Sequence, residues 1–352
     1  MAEPIVLLGL GVVTPVGLGP HETATSVRAG TSRVREIDEA EWCGRDGNPY
    51  RGGFLTAKYL DKLHRKTRGV AVDSLPGRTL QLGGAAVRQL APVLASLGIV
   101  PALVLGIGDP AQAPDGSPAQ LLENLMRQAQ VRLRLETSEV VAPGRAAGLL
   151  AIHRAIQRLD AGEPGPILAG GVDSYFDAAR LERLDVEGRL LNDVNLDGFL
   201  PGEGAAVVLL SKDPVQVAGS PPLGRLLAPR VGFERGHLRS TEPLLGDGLS
   251  ETLATVLSAV PPASLPCGAV YMNLNGERLG AKEWGVAQLR NKRFFADDLE
   301  QVHPGECTGD AGAAMGPLLV ALAATGFKDR PGLALVWCAS DEADRVALCV
   351  AP

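Results

Sequence analysis

Short uninterrupted apolar runs alternate along the chain with longer stretches whose apolar residues recur every three or four positions. Residues 5–13, 102–107, 167–171, 205–210 and 269–274 are apolar and bounded on at least one side by glycine or proline. Such runs are too short for helices and predict buried strands. Residues 225–233 alternate, and 333–338 with 346–350 predict an antiparallel hairpin near the end of the chain. Helical spacing marks 75–97, 120–130, 248–260, 282–290 and 314–325. Leu149, Ile152, Ile156 and Leu159 fall on one face of a further helix. That helix begins among small residues (Pro143, Gly144, Ala146, Ala147, Gly148), which lets it be buried deeply. Residues 28–51 read as polar loop, 58–68 as a solvated basic helix face and 110–117 as a Pro/Gly-rich loop. Residues 213–223, rich in Pro, Gly and Ser, read as a linker. Strand–helix alternation in two blocks split near residue 215 fits a duplicated α/β architecture, although the halves share no convincing sequence identity.

Composition narrows the function. The 352 residues suffice for two domains or one large duplicated one. Aromatics are only 4%, so the core must be built from Val, Leu, Ile and Ala. A net charge of -6 without a basic patch interleaved with aromatics gives no support for nucleic acid as a partner. Five cysteines, scattered and without CxxC spacing, predict reduced thiols and a cytoplasmic protein. The first residues lack the basic region of a signal peptide. The longest uncharged run, 252–276, contains Pro261, Pro262 and Pro266 and cannot be a continuous membrane helix. His21, His64 and His237 show no ligand spacing, so no metal is expected. GLGVVTPVG (9–17) is not a GxGxxG leading into a helix, so no nucleotide cofactor is expected.

The most specific signal is an order of motifs. AGGVDS (169–174), GRLL (188–191) and DGFLPGEGAA (197–206) follow one another between 167 and 212. With GLGVVTPVG and TGDAGAAMG (308–316), this order resembles the β-ketoacyl synthase branch of the thiolase-fold superfamily. The resemblance implies a thiolase-like α/β fold: two duplicated βαβαβ halves (1–214 and 215–352), each with a five-stranded mixed sheet, in an α/β/α/β/α layering. It also implies a homodimer paired through an edge strand at 136–142.

The chemistry departs from that family. A ketosynthase needs a cysteine at a helix N-terminus, where the helix dipole favours thiolate. It also needs two histidines and a glycine-rich loop that stabilise developing negative charge. On the family's pattern, Arg145 stands at the cysteine position, Asn275 at the first histidine and Asp310 at the second. Gly305 stands where the lysine would be. WCASDEAD (337–344) replaces the glycine-rich loop. Arginine offers only donors, and an amide cannot transfer protons near neutral pH. The expectation is therefore a fold without catalytic residues, in which Arg145 pairs with Asp310 and plugs the former site. Cys307 is the candidate for a relocated nucleophile in an acyltransferase, while His153 reads as a core histidine and His303 sits in a Pro/Gly loop with no partner visible in the sequence. The expected role is a scaffold or adaptor that binds another protein, one setting being an accessory of effector secretion of the type VI kind. The alternative is a chain-length-factor-like subunit beside an active ketosynthase in fatty acid or polyketide synthesis, with acyl-carrier protein as a doubtful partner.

Overall fold

The computed structural model describes residues 5–38, 42–63, 70–141, 144–212 and 221–352. The strands are β1 (Ile5–Val13), β2 (Val34–Glu36), β3 (Arg51–Gly53), β4 (Ala102–Ile107), β5 (Glu139–Val141) and β6 (Ile167–Ser174). They continue with β7 (Glu203–Ser211), β8 (Gly224–Phe233), β9 (Cys267–Met272), β10 (Phe295–Val302), β11 (Ala334–Ala339) and β12 (Asp344–Ala351). The helices are α1 (Pro20–Arg28), α2 (Ala57–Leu63), α3 (Leu75–Gln89), α4 (Ala91–Leu97), α5 (Pro118–Ala129) and α6 (Ala147–Asp160). The remainder are α7 (Ala178–Val186), α8 (Asp247–Ala259), α9 (Arg278–Arg290), α10 (Gly305–Thr308) and α11 (Met315–Gly326).

Ten strands form one sheet in the order β10-β9-β11-β12-β8-β1-β7-β6-β4-β5. The order repeats. Counted within each half, both run third, second, fourth, fifth, first. In both, the third and fourth strands lie parallel to the second, and the fifth is antiparallel to the fourth and the first. The duplication that the letters do not show is thus visible in the topology. The two five-stranded mixed sheets of the halves join edge to edge. Each half leaves its first strand, β1 or β8, with a free edge, and exposed edges seek partners. The two edges join antiparallel at Ile5↔Leu226, Val6↔Arg225 and Leu7↔Gly224.

Both faces of the sheet are covered, so alternate residues of one strand enter different cores. Ile167 and Ala169 of β6, with Val346 and Leu348 of β12, pack on α6 and α11 between the half-sheets. Leu168 and Val172 turn outward onto α3 and α5, and Ala347 and Cys349 turn outward onto α8. This is the expected five-layer arrangement. Glycine makes the central layer possible: a Cβ on Gly148 of α6 or Gly171 of β6 would collide with Ala313 O.

Several local expectations are corrected. Residues 28–51 are not all loop, since β2 pairs with β3 in a separate two-stranded sheet. The stretch 75–97 is two helices, because Pro92 lacks an amide hydrogen and starts α4 instead of continuing α3. Residues 110–117 hold two short 3-10 turns, and β6 runs on to Ser174. Strand β10 was not foreseen. It pairs with β9 at Phe295↔Cys267 and next at Glu300↔Ala269, so its middle bulges out of register. The basic face 58–68 is helical to Leu63, and residues 64–69 lie outside the described residues. So do residues 213–220, which include the expected boundary at 214/215. No helix among the described residues is long and apolar enough to cross a membrane.

Candidate functional site

Arg145 stands next to Ala146, the N-cap of α6, while Asn275 follows β9 and Asp310 follows α10. The structure brings the three together. Asp310 is 1% exposed and is fixed by its backbone, which bonds Leu200 O and Gly202 N at 2.7 and 2.9 Å. The DGFLPGEG segment therefore runs beside 308–310, and Gly202 is needed because a Cβ there would meet Thr308 O. Arg145 Nε lies 2.8 Å from Asp310 Oδ2. Its N–H is not aimed at that oxygen, so this contact is an ion pair without a hydrogen bond. Arg145 Nη2 donates to Asn273 O at 2.9 Å and Nη1 to Asp341 Oδ1 at 3.4 Å. Asn275 Nδ2 donates to Asp310 Oδ2 at 3.1 Å and to Glu277 Oε2 at 2.9 Å.

Sequence reasoning missed three members of this cluster. Arg189, the arginine of GRLL, donates to both oxygens of Glu277 at 2.9 and 2.7 Å. It also reaches Asp341 Oδ2 at 2.6 Å. Both cations come from the first half of the chain, and all three carboxylates from the second. Burial alone would lower the Arg145 pKa, but Asp310 and Asp341 outweigh it and hold it above its ordinary value. Burial likewise pushes Asp341 upward, yet Arg145 and Arg189 hold it below the usual carboxylate range. An arginine before a helix N-terminus opposes the helix dipole, and these carboxylates offset that cost. Arg189 sits in GRLL and Asp341 in WCASDEAD, but their partners lie far away in sequence.

The arrangement leaves little room for chemistry. The cavity against Arg145, Asn275, Trp337 and Asp341 measures about 40 Å³, little more than the roughly 30 Å³ that one water molecule occupies in the liquid. Cys338 is nearby, but burial pushes its thiol well above the ordinary range. Cys307 is 7% exposed, and burial, aided by Glu306, raises its pKa as well. A nucleophilic cysteine needs the opposite shift. His303 pairs with Glu306 at 3.2 Å. His153 is pushed below its ordinary value by burial, then by Arg230 and Arg154. Among the described residues no group of three or more His, Cys, Asp or Glu could hold a metal ion.

The acidic residues of the recognition motifs are structural staples. Glu203 of PGEGAA pairs with Arg78, accepts from Leu55 N at 2.7 Å and from Ser174 Oγ at 2.8 Å. Asp173 of AGGVDS pairs with Arg180 at 2.6 Å and accepts from Ala313 N at 3.1 Å. All four side chains of these two pairs are buried. They tie the N-terminal half-sheet to its helices and loops.

Comparison with known proteins agrees with this layout. Residues 138–215 match the family "Beta-ketoacyl synthase, N-terminal domain". The chain is 28% identical over 121 residues to a non-reducing polyketide synthase of Acremonium egyptiacum, covering 32% of this chain and 6% of that protein. Among solved structures, the ishigamide ketosynthase/chain length factor superposes with a TM-score of 0.79 at 17% identity, covering 100% of both chains. This is the ketosynthase fold. A Xenorhabdus doucetiae ketosynthase in complex with its chain length factor gives 0.78 at 14% identity, over 99% of this chain and 98% of that one. A type II polyketide synthase ketosynthase, solved with its acyl-carrier protein and bound to the hexaketide, gives 0.77 at 15% identity over 100% of both.

Proposed function

We propose that this ketosynthase-like chain is catalytically silent and serves as a scaffold that binds another protein. One observation carries the reading: the guanidinium of Arg145, which the family's motif order puts at the cysteine position, is held before α6 by Asp310 and Asp341. A guanidinium does not attack a thioester, and a carboxylate at Asp310 would repel the negative charge that condensation develops. In this reading Arg145, Asn275 and Asp310 are degenerate site positions. An accessory role in effector secretion is one setting such a scaffold would serve. The free outer edge of β5, where the sheet order ends, would pair two copies as a homodimer.

A second reading, a chain-length-factor-like subunit, is favoured by structural neighbours that are ketosynthases with such a factor. The small cavity favours the scaffold, because a subunit that shapes a growing acyl chain must leave room for it. The test is incubation of the pure protein with acyl- and malonyl-charged acyl-carrier protein, followed by mass spectrometry. No covalent acylation and no condensation product are expected. An acylated residue would overturn the proposal. Stable copurification with an active ketosynthase that loads acyl groups would move the protein to the second reading.

A further inference from the structure

Away from the arginine site, two clefts of about 520 and 530 Å³ share Asp73 and Phe176 and so form one trough. Its walls come from β2–β3, α2, the start of α3 and the start of α7. Its floor is aromatic: Phe176 lies 4.9 Å from Trp42 and 5.2 Å from Phe54, centre to centre. Its rim is acidic. Glu36, Asp38, Asp61 and Asp73 are exposed on it, and none has an ion-pair partner among the described residues. The cations there are largely committed: Arg78 to Glu203, Arg180 to Asp173 and Arg183 to Asp109. Arg35 donates to Phe54 O.

Two further observations select a donor-bearing cation over other ligands. The chain stacks a guanidinium of its own on one of these aromatics, Arg78 over Phe176 at 3.9 Å, and another on the adjacent buried Tyr175, Arg180 at 3.8 Å. Aromatic faces attract such cations, most strongly where water is excluded. Gln81, 2% exposed, lines the trough and gives its Nε2 to Val72 O, leaving its buried Oε1 acceptor without a partner. A buried acceptor without a donor is costly.

We infer that this trough docks an extended, arginine- or lysine-bearing segment of the partner protein. The inference rests on the scaffold reading and names the chemistry of its partner. Two joined clefts exceed the reach of one side chain, and an extended segment presents every second side chain to one surface.

The experiment is fluorescence anisotropy with fluorescein-labelled Ac-(Ala-Arg)4-NH2 and the full chain. Saturable binding is expected, weakened at least ten-fold by Asp61→Lys/Asp73→Lys with an unchanged melting temperature. Glu251→Lys/Asp297→Lys reverses as many charges elsewhere and should leave affinity within two-fold. Equal weakening by both pairs would mean a diffuse attraction to an acidic protein and would overturn the inference. So would free arginine amide competing as well as the peptide, which would mean a small-amine site. Binding seen only in Arg65→Ser/Lys66→Ser/Arg68→Ser would mean that the chain's own basic run fills the trough, and would overturn it too. Failure here leaves the silent-site reading standing, because acylation tests that separately.

Discussion

Replacing Arg145 by methionine tests the energetics of the filled site. The variant keeps most of the side-chain volume and removes the charge. Among the described residues, Asp310, 1% exposed, would then keep only Asn275 Nδ2 at 3.1 Å and Gly312 N at 2.9 Å as side-chain hydrogen-bond donors. Removing one partner of a buried ion pair costs about 3–5 kcal/mol, because the other charge stays buried without compensation. Unfolding entropy near 60 °C scales to about 0.7 kcal/mol per kelvin for a chain of 352 residues. Arg145→Met should therefore lower the melting temperature by about 4–7 °C in far-UV circular dichroism, if the halves unfold together. Asp310→Asn in the same background removes the stranded charge. The double variant should then be more stable than Arg145→Met alone, since a buried pair replaced as a whole often costs little. A single variant within about 1 kcal/mol of the parent, or a double variant costing the sum of both singles, would refute the coupling.

Other expectations follow from the same geometry. Only Cys43 is exposed, so the native protein should react rapidly with one equivalent of a thiol reagent at pH 8, and unfolding should release four more; a second fast thiol at Cys307 would restore it as a nucleophile candidate. Asp341 has a folded pKa below its unfolded one. Its contribution should be fully present above about pH 4 and be lost as pH falls through the folded value, so Asp341→Asn should flatten the acid limb of a urea-stability profile; an unchanged limb would contradict the assignment. If β5 pairs two copies, light scattering at micromolar concentration should give a dimer and Val140→Lys a folded monomer, because like charges face each other across such an edge; a monomeric parent would end that proposal.

Much of the architecture was legible because its strands are buried on both faces and read as continuous apolar runs. β4, β6 and β7 are of this kind, and the apolar stripe of α6 placed the central layer. β2 and β3 were not legible, since three-residue strands carry no period and β3 is Arg51 followed by two buried glycines. β10 hid for a related reason: Asp297, Asp298 and Glu300 interrupt its apolar pattern. The break between α3 and α4 was in the letters as Ala91-Pro92 and was passed over. At the site, motif spacing placed Arg145, Asn275 and Asp310. Arg189, Glu277 and Asp341 escaped because their bonds span 88 and 152 residues, and local pattern says nothing about who meets whom at that range.

The repeat gives the sheet two ends built to one plan, with β5 and β10 each the third strand of its half. Equal ends would both recruit neighbours, and an object sticky at both ends grows into a fibre instead of closing. The end at β10 does not offer the same edge as β5. Its terminal strand bulges between Phe295 and Glu300, carries Asp297 and Asp298 outward, and holds Arg330 across Asp298 at 2.7 Å. Irregular backbone and charge are the usual means of making an edge refuse a new strand. On the proposal that β5 pairs two copies, the sheet then has one pairing end in place of two. Erasing that difference, by straightening the bulge and neutralising both aspartates, is the change that would make this chain polymerise.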